Sequence, residues 1–156
     1  MSPIERLRLP EQLPQPISHY TDAVVADDWI WISGMLAVDA SGNLIGGDDV
    51  IAQAEKVHEN IKAVLEKAGA GFEHVVKVTN FFVDMSHLPV FFEVRDAFVN
   101  TKAPPASTAI QVGRLARDGA LFEIEAVAVI PDKATKAVVQ RGSAKIEKKP
   151  AKKKRR

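Results

Sequence analysis

Two glutamates, Glu123 and Glu125, stand two residues apart in the run LFEIEAVAVI. On a β-strand that spacing puts both carboxylates on one face, amid residues that are otherwise apolar. Burying such a pair raises the pKa of at least one member, because its charged form loses solvation and meets a like charge. A carboxyl raised in this way takes or gives a proton near neutral pH. The alternative is a face open to solvent with two ordinary carboxylates, and an interface or pocket over that face decides between them.

Other chemistry is sparse. The chain has no cysteine, which removes disulfides, thiolate nucleophiles and Cys-based zinc sites. Any nucleophile is therefore oxygen, nitrogen or water. Phosphate-binding Gly-Lys loops, dinucleotide fingerprints, paired-His zinc helices and nucleophile elbows are all missing. Of the four histidines, His58 reads as a solvated helix residue between Val57 and Glu59, His74 begins a strand and His87 flanks a helix start. His19, just before Tyr20, reads as structural. No two have metal-ligand spacing on a shared element, so no metal site is expected.

The elements that must position these residues follow from periodicity. Ala23, Val24 and Val25 lead through Asp27 and Asp28 to the run Trp29, Ile30, Trp31, Ile32, which ends at Ser33-Gly34; this is a β-hairpin. Ile51, Ala54, Val57, Ile61, Val64, Leu65 and Ala68 form one helical stripe of about five turns, with Asp48 or Asp49 as N-cap and Gly69 as the stop. Residues 74–83, HVVKVTNFFV, suit a buried strand. A second helix is predicted from Leu88 to Asn100, capped by Ser86 with Pro89 in its first turn.

After the proline loop at residues 103–106 come two strands, STAIQVGRL and ALFEIEAVAVI, joined at Asp118-Gly119, a strong hairpin signal. The order β-β-α-β-α-β-β makes a two-layer α+β domain, two helices covering one face of a mixed sheet. The other face would leave apolar side chains in water, so an oligomer built through the sheet is expected.

At 156 residues, 46% hydrophobic and 26% charged, the composition is that of a soluble globular protein with one core. The net charge of +1 hides an asymmetry: residues 1–140 carry 12 Lys and Arg against 19 Asp and Glu, and residues 141–156 carry 9 against one. Residues 1–133 read as a single domain and 134–156 as a basic, disordered tail that offers nucleic acid at most an electrostatic contact. No apolar run is long enough to cross a bilayer, and the first residues lack the pattern of a secretory signal. A cytoplasmic location is expected.

From Tyr20 to Ile130 the chain resembles the YjgF/RidA family, on the evidence of WISGMLAVDASGNLIGG, the helix reading QAEKVHENIKAVLEKAG, PPASTAIQVGRL and FEIEAVAVI. The resemblance implies a chorismate-mutase-like fold assembled as a homotrimer with ligand clefts between subunits. It further implies hydrolysis of reactive enamines and imines, such as 2-aminoacrylate or aminomuconate-type intermediates, to a keto acid and ammonia without metal or cofactor. By the same resemblance Glu125 orients water with help from the backbone carbonyl at Ala109, while Tyr20, Ser33 and Gly34 contact the substrate.

Two positions depart from the family. Ser107 stands where an arginine holds the substrate carboxylate, and Phe92 where an asparagine is common. Neither a hydroxyl nor an ammonium reproduces a bidentate guanidinium–carboxylate pair. Arg114 could contribute a cation, although seven residues of strand separate it from Ser107; Arg95 reads as a surface residue of the second helix. The pocket is expected to be less cationic and more apolar than in the family, favouring an aromatic, neutral or differently anchored substrate. A non-catalytic ligand-binding or regulatory trimer is the rival reading.

Overall fold

The computed structural model describes residues 4–131. The basic tail, and any contact it makes with nucleic acid, lies outside the described residues.

Six strands and two helices form the domain: β1 (Glu5–Leu7), β2 (Ala23–Ala26), β3 (Trp29–Met35), α1 (Val50–Lys67), β4 (Val75–Phe82), α2 (Leu88–Arg95), β5 (Ala106–Gln111) and β6 (Phe122–Val129). They make one mixed sheet in the order β1-β2-β3-β6-β4-β5. The predicted α+β layering is present. The hairpin of β2 and β3 turns at Asp27, which has φ 52°, a conformation that Asp tolerates better than bulkier residues do.

The predicted hairpin between the last two strands does not form. β6 inserts between β3 and β4 and pairs antiparallel with both, while β5 pairs parallel with β4 at the sheet edge. Gly119 adopts φ +79° as expected of a turn glycine, but the turn redirects the chain across the sheet. The apolar, alternating β6 gains two hydrogen-bonded neighbours and a covered face by moving to the centre. β5, with mostly exposed residues, occupies the edge. β1 went unpredicted: only Leu7 of its three residues is buried. It is held through Asp22, which pairs with Arg8 and accepts the Leu9 N–H at 2.8 Å.

Helix α1 follows its stripe. Asp49 is the N-cap, accepting from the N–H groups of Ile51 and Ala52 at 2.9 and 3.0 Å, and Gly69 takes φ +79° after the end. Ala54, Val57, Ile61, Val64 and Leu65 are buried as expected; Ile51 is exposed. His58 corrects the prediction of a solvated residue. It is 3% exposed, and its Nδ1 lies 2.8 Å from the Ala54 carbonyl. Burial pushes its pKa down to about 4.

Two polar side chains on the same helix organise loops. Gln53 donates to the carbonyls of Gly47 and Gly119 and accepts from the Leu121 N–H, which sets where β6 begins. Asn60 donates to Leu36 and Val38 carbonyls at 2.8 and 3.0 Å.

Helix α2 stops at Arg95 instead of reaching Asn100, and Ser86 does not cap it. Asp84 accepts from the Ser86 N–H and so closes a short 3-10 turn over Met85–His87, which leads into the helix. Pro89 lies in the first turn of α2. Phe82, Phe91 and Phe122 pack ring against ring at 4.9–5.3 Å and tie this helix to the sheet.

Candidate functional site

Strand β6 presents Phe122, Ile124, Ala126 and Ala128 to the helices. Its alternate residues, Glu123 and Glu125 among them, lie on the uncovered face. The two carboxylates do not share one environment. Glu125 is exposed and lines a shallow depression with Trp31, Ser33, Lys77 and Thr79. Glu123 is partly buried, and its pKa is raised above the ordinary carboxylate value, first by desolvation and then by the neighbouring Glu125 charge.

Gly34 explains the difference. The β3–β6 register shifts between Ile32 and Met35, and this irregularity at Ser33-Gly34 re-aims the strand. A methyl group placed on Gly34 would collide with the carboxylate of Glu123. The missing side chain is what lets Glu123 fold against the strand backbone. Gly34 also lines a cleft with Tyr20, Ile17, Met35, Leu36 and Arg117. Its walls are set by the Asn60 hydrogen bonds to residues 36 and 38 and by Asp22, which anchors the segment carrying Tyr20 to β1. Ser33 Oγ donates to the Thr21 carbonyl at 2.6 Å and fastens that segment from the other side.

A second, separate pocket lies on the helix side of the sheet. Ser107 and Ala109 pair in register with Val78 and Asn80 of β4, whose side chains are buried towards the helices. Ser107 therefore points away from the face that carries the glutamates. It lines a pocket with His58, Asn80, Arg95, Pro104 and Pro105, and its Oγ accepts from Asn80 Nδ2 at 3.1 Å. Phe92, on α2 nearby, carries the Arg95 guanidinium 4.2 Å above its ring.

Comparison with known proteins settles the family. The endoribonuclease L-PSP family model matches residues 10–130. A RutC family protein of Pyrococcus abyssi is 36% identical over 118 residues, covering 76% of this chain and 91% of the relative. A 2-iminobutanoate/2-iminopropanoate deaminase of Capra hircus is 36% identical over 127 residues, covering 81% and 90%. The crystal structure of RidA from an Antarctic Psychrobacter superposes with a TM-score of 0.74 at 35% identity, over 81% of this chain and 99% of that one. The chain belongs to the L-PSP family, the YjgF/RidA family of the sequence resemblance.

For a member of the family, the implied site residues fall into two groups within one chain. Tyr20 and Gly34 share the cleft flanked by Glu123, with Ser33 and Glu125 on the adjoining open face. Ser107, Ala109 and Phe92 belong to the helix side. Arg114 joins neither; it is exposed and faces Asp118 across 3.6 Å. Arg95, read from the sequence as a surface residue, lines the Ser107 pocket, and Arg117 lines the Tyr20 cleft. Glu123 was visible as half of a pair, but nothing in the strand pattern separates it from Glu125. The separation comes from Gly34, a neighbour across the sheet. Among the described residues no cluster of His, Asp and Glu could hold a metal ion, and no helix is long and apolar enough to cross a membrane.

Proposed function

We propose that the protein is a hydrolase of enamines or imines, deaminating them in clefts between the subunits of a homotrimer, with Glu123 as the proton acceptor. The observation that carries this reading is the partly buried Glu123, its pKa raised, against Gly34 and beside the Tyr20 cleft, in a chain about a third identical to deaminases of 2-iminobutanoate and 2-iminopropanoate. An imine carbon is already electrophilic, so water needs orientation and a base. Glu123 takes a proton from water as the water oxygen bonds to the imine carbon, and passes that proton to the imine nitrogen to give a carbinolamine. It then moves the carbinolamine hydroxyl proton to the amino nitrogen as the C=O bond forms and the C–N bond breaks, so that ammonia leaves and Glu123 is again a carboxylate.

The resemblance gave the water-orienting role to Glu125. In the present proposal Glu125 adds to the desolvation that raises the Glu123 pKa, and the reason for the change is that Glu123, not Glu125, lies against Gly34, which lines the Tyr20 cleft. The Ala109 backbone, Ser107 and Phe92 complete the cleft from the neighbouring copy, since one chain holds them on the other side of its sheet. Tyr20, Ser33 and Gly34 place the substrate, and Arg114 is assigned no part. The uncovered sheet face, with Trp29, Trp31, Val76 and Ile110 each more than 40% exposed, supports assembly through that face.

Turnover of an imine generated in situ from 2-aminobutanoate by an amino-acid oxidase tests this. The wild type should accelerate keto-acid release, and Glu123→Gln should lower kcat by about 100-fold, the size expected of a general base. Ser107 and Phe92 favour a second reading, ligand binding without turnover. Under it the wild type gains thermal stability with 2-oxobutanoate and leaves imine decay at its spontaneous rate.

A further inference from the structure

The pocket beneath β5 is too small for a substrate and too polar at its base to be dry. Its cavity volume is about 30 Å³, and a water needs about 10–15 Å³, so there is room for one or two water molecules. The walls are apolar apart from four side chains, each from a different element: His58 of α1, Asn80 of β4, Arg95 of α2 and Ser107 of β5. His58 is 3% exposed, whereas Ser107 is exposed at the edge of the sheet.

The hydrogen bonds already made by these side chains fix what each has left to offer. His58 Nδ1 lies 2.8 Å from the Ala54 carbonyl. A carbonyl only accepts, so the ring proton sits on Nδ1 and Nε2 carries a lone pair. Nε2 has no hydrogen-bond partner among the described residues. The Asn80 amide is oriented by the same logic: its nitrogen must face the Thr108 carbonyl, 3.0 Å away, and that nitrogen also donates to Ser107 Oγ at 3.1 Å. This bond takes one lone pair of Oγ and leaves the Ser107 O–H free to donate. No direct hydrogen bond joins Ser107 to His58. Arg95 commits Nε and Nη2 to one oxygen of Asp96, at 3.0 and 2.6 Å, and keeps Nη1 as a further donor. A dry pocket would leave the buried Nε2 acceptor unpaired, at a cost in stability.

We propose that this pocket is a water site, in which an ordered water donates to His58 Nε2, accepts from the Ser107 hydroxyl and the Arg95 guanidinium, and so ties the edge strand β5 to α1 and α2. Three polar partners are what a buried water ordinarily has. β5 needs the tie because it is paired on one side only, with β4. The Ser107 hydroxyl is then used within its own chain, and Ser107 contributes to a neighbouring copy's cleft through the position of its strand. The water site is independent of the hydrolase reading and holds for a binding protein equally well.

A crystal structure of the full chain at neutral pH, at a resolution that orders solvent, tests the site together with a double-mutant cycle in urea. Density for a water should appear within about 2.7–3.2 Å of both His58 Nε2 and Ser107 Oγ. In the cycle, Ser107→Ala should lower the folding equilibrium constant about fivefold, the worth of one net hydrogen bond. The same change should cost almost nothing in a His58→Phe background, where the acceptor is gone. Should His58→Phe fail to fold, the crystal structure decides alone. A pocket without water density, a pocket that takes up xenon as a dry apolar cavity does, or an equal cost of Ser107→Ala in both backgrounds would each overturn the proposal.

Discussion

At the scale of single residues, the account turns on groups whose environments move their protonation. Burial lowers the pKa of His58 to about 4 from the ordinary 6.5, so the unfolded chain takes up the proton first as pH falls. Stability should be lost between pH 6.5 and 4 and be flat below that, a linkage contribution on the order of 3 kcal/mol. Urea unfolding at pH 7 and at pH 4.5 measures it, and His58→Phe should flatten the His58 share of the slope. Glu123 contributes with the opposite sign: its raised pKa favours the folded state at low pH and loses that share as pH rises. The burial of His58 was legible in part, because it lies four residues after Ala54 and three before Ile61, on the buried stripe; its polarity argued against placing it there. The ring stacks on Phe98 at 5.0 Å and sits 5.2 Å from Phe91, and those partners come from chain distant in sequence.

At the scale of elements, the irregularity at Ser33-Gly34 is the feature that distinguishes one glutamate from the other. Replacing Gly34 by Ala should move the Glu123 carboxylate while leaving strand pairing intact. Stability should change by less than about 1 kcal/mol while kcat/KM falls tenfold or more, a split that thermal melts and steady-state kinetics on the same sample would reveal. Helix α1, the β2–β3 hairpin and β4 were legible because each carries its own period and its own turn or cap residues. The pairing of β5 and β6 was not. Asp118-Gly119 makes a turn with the chemistry of a hairpin, but that local signal says nothing about which neighbour wins β6. The apolar strand gains more by pairing on both edges, between β3 and β4, than by pairing with an exposed edge strand. Glu125 and Ser107, read from the resemblance as parts of one cleft, consequently face opposite sides of the sheet within one chain.

At the scale of the whole molecule, the proposed hydrolase reading makes assembly a chemical requirement, because it needs a second copy to bring its Ser107 side to the first copy's Glu123 side. Trp31 lies on the uncovered face, and Trp31→Glu should shift sedimentation from trimer to monomer and lower turnover in parallel. The pH dependence of imine hydrolysis tests the central claim most directly. In the wild type kcat should rise with pH through a titration above the usual carboxylate range. Glu125→Gln, by removing the like charge, should move that titration downward, and Glu123→Gln should remove it together with most of the rate. A rate that keeps its wild-type size and pH profile in Glu123→Gln would contradict the account.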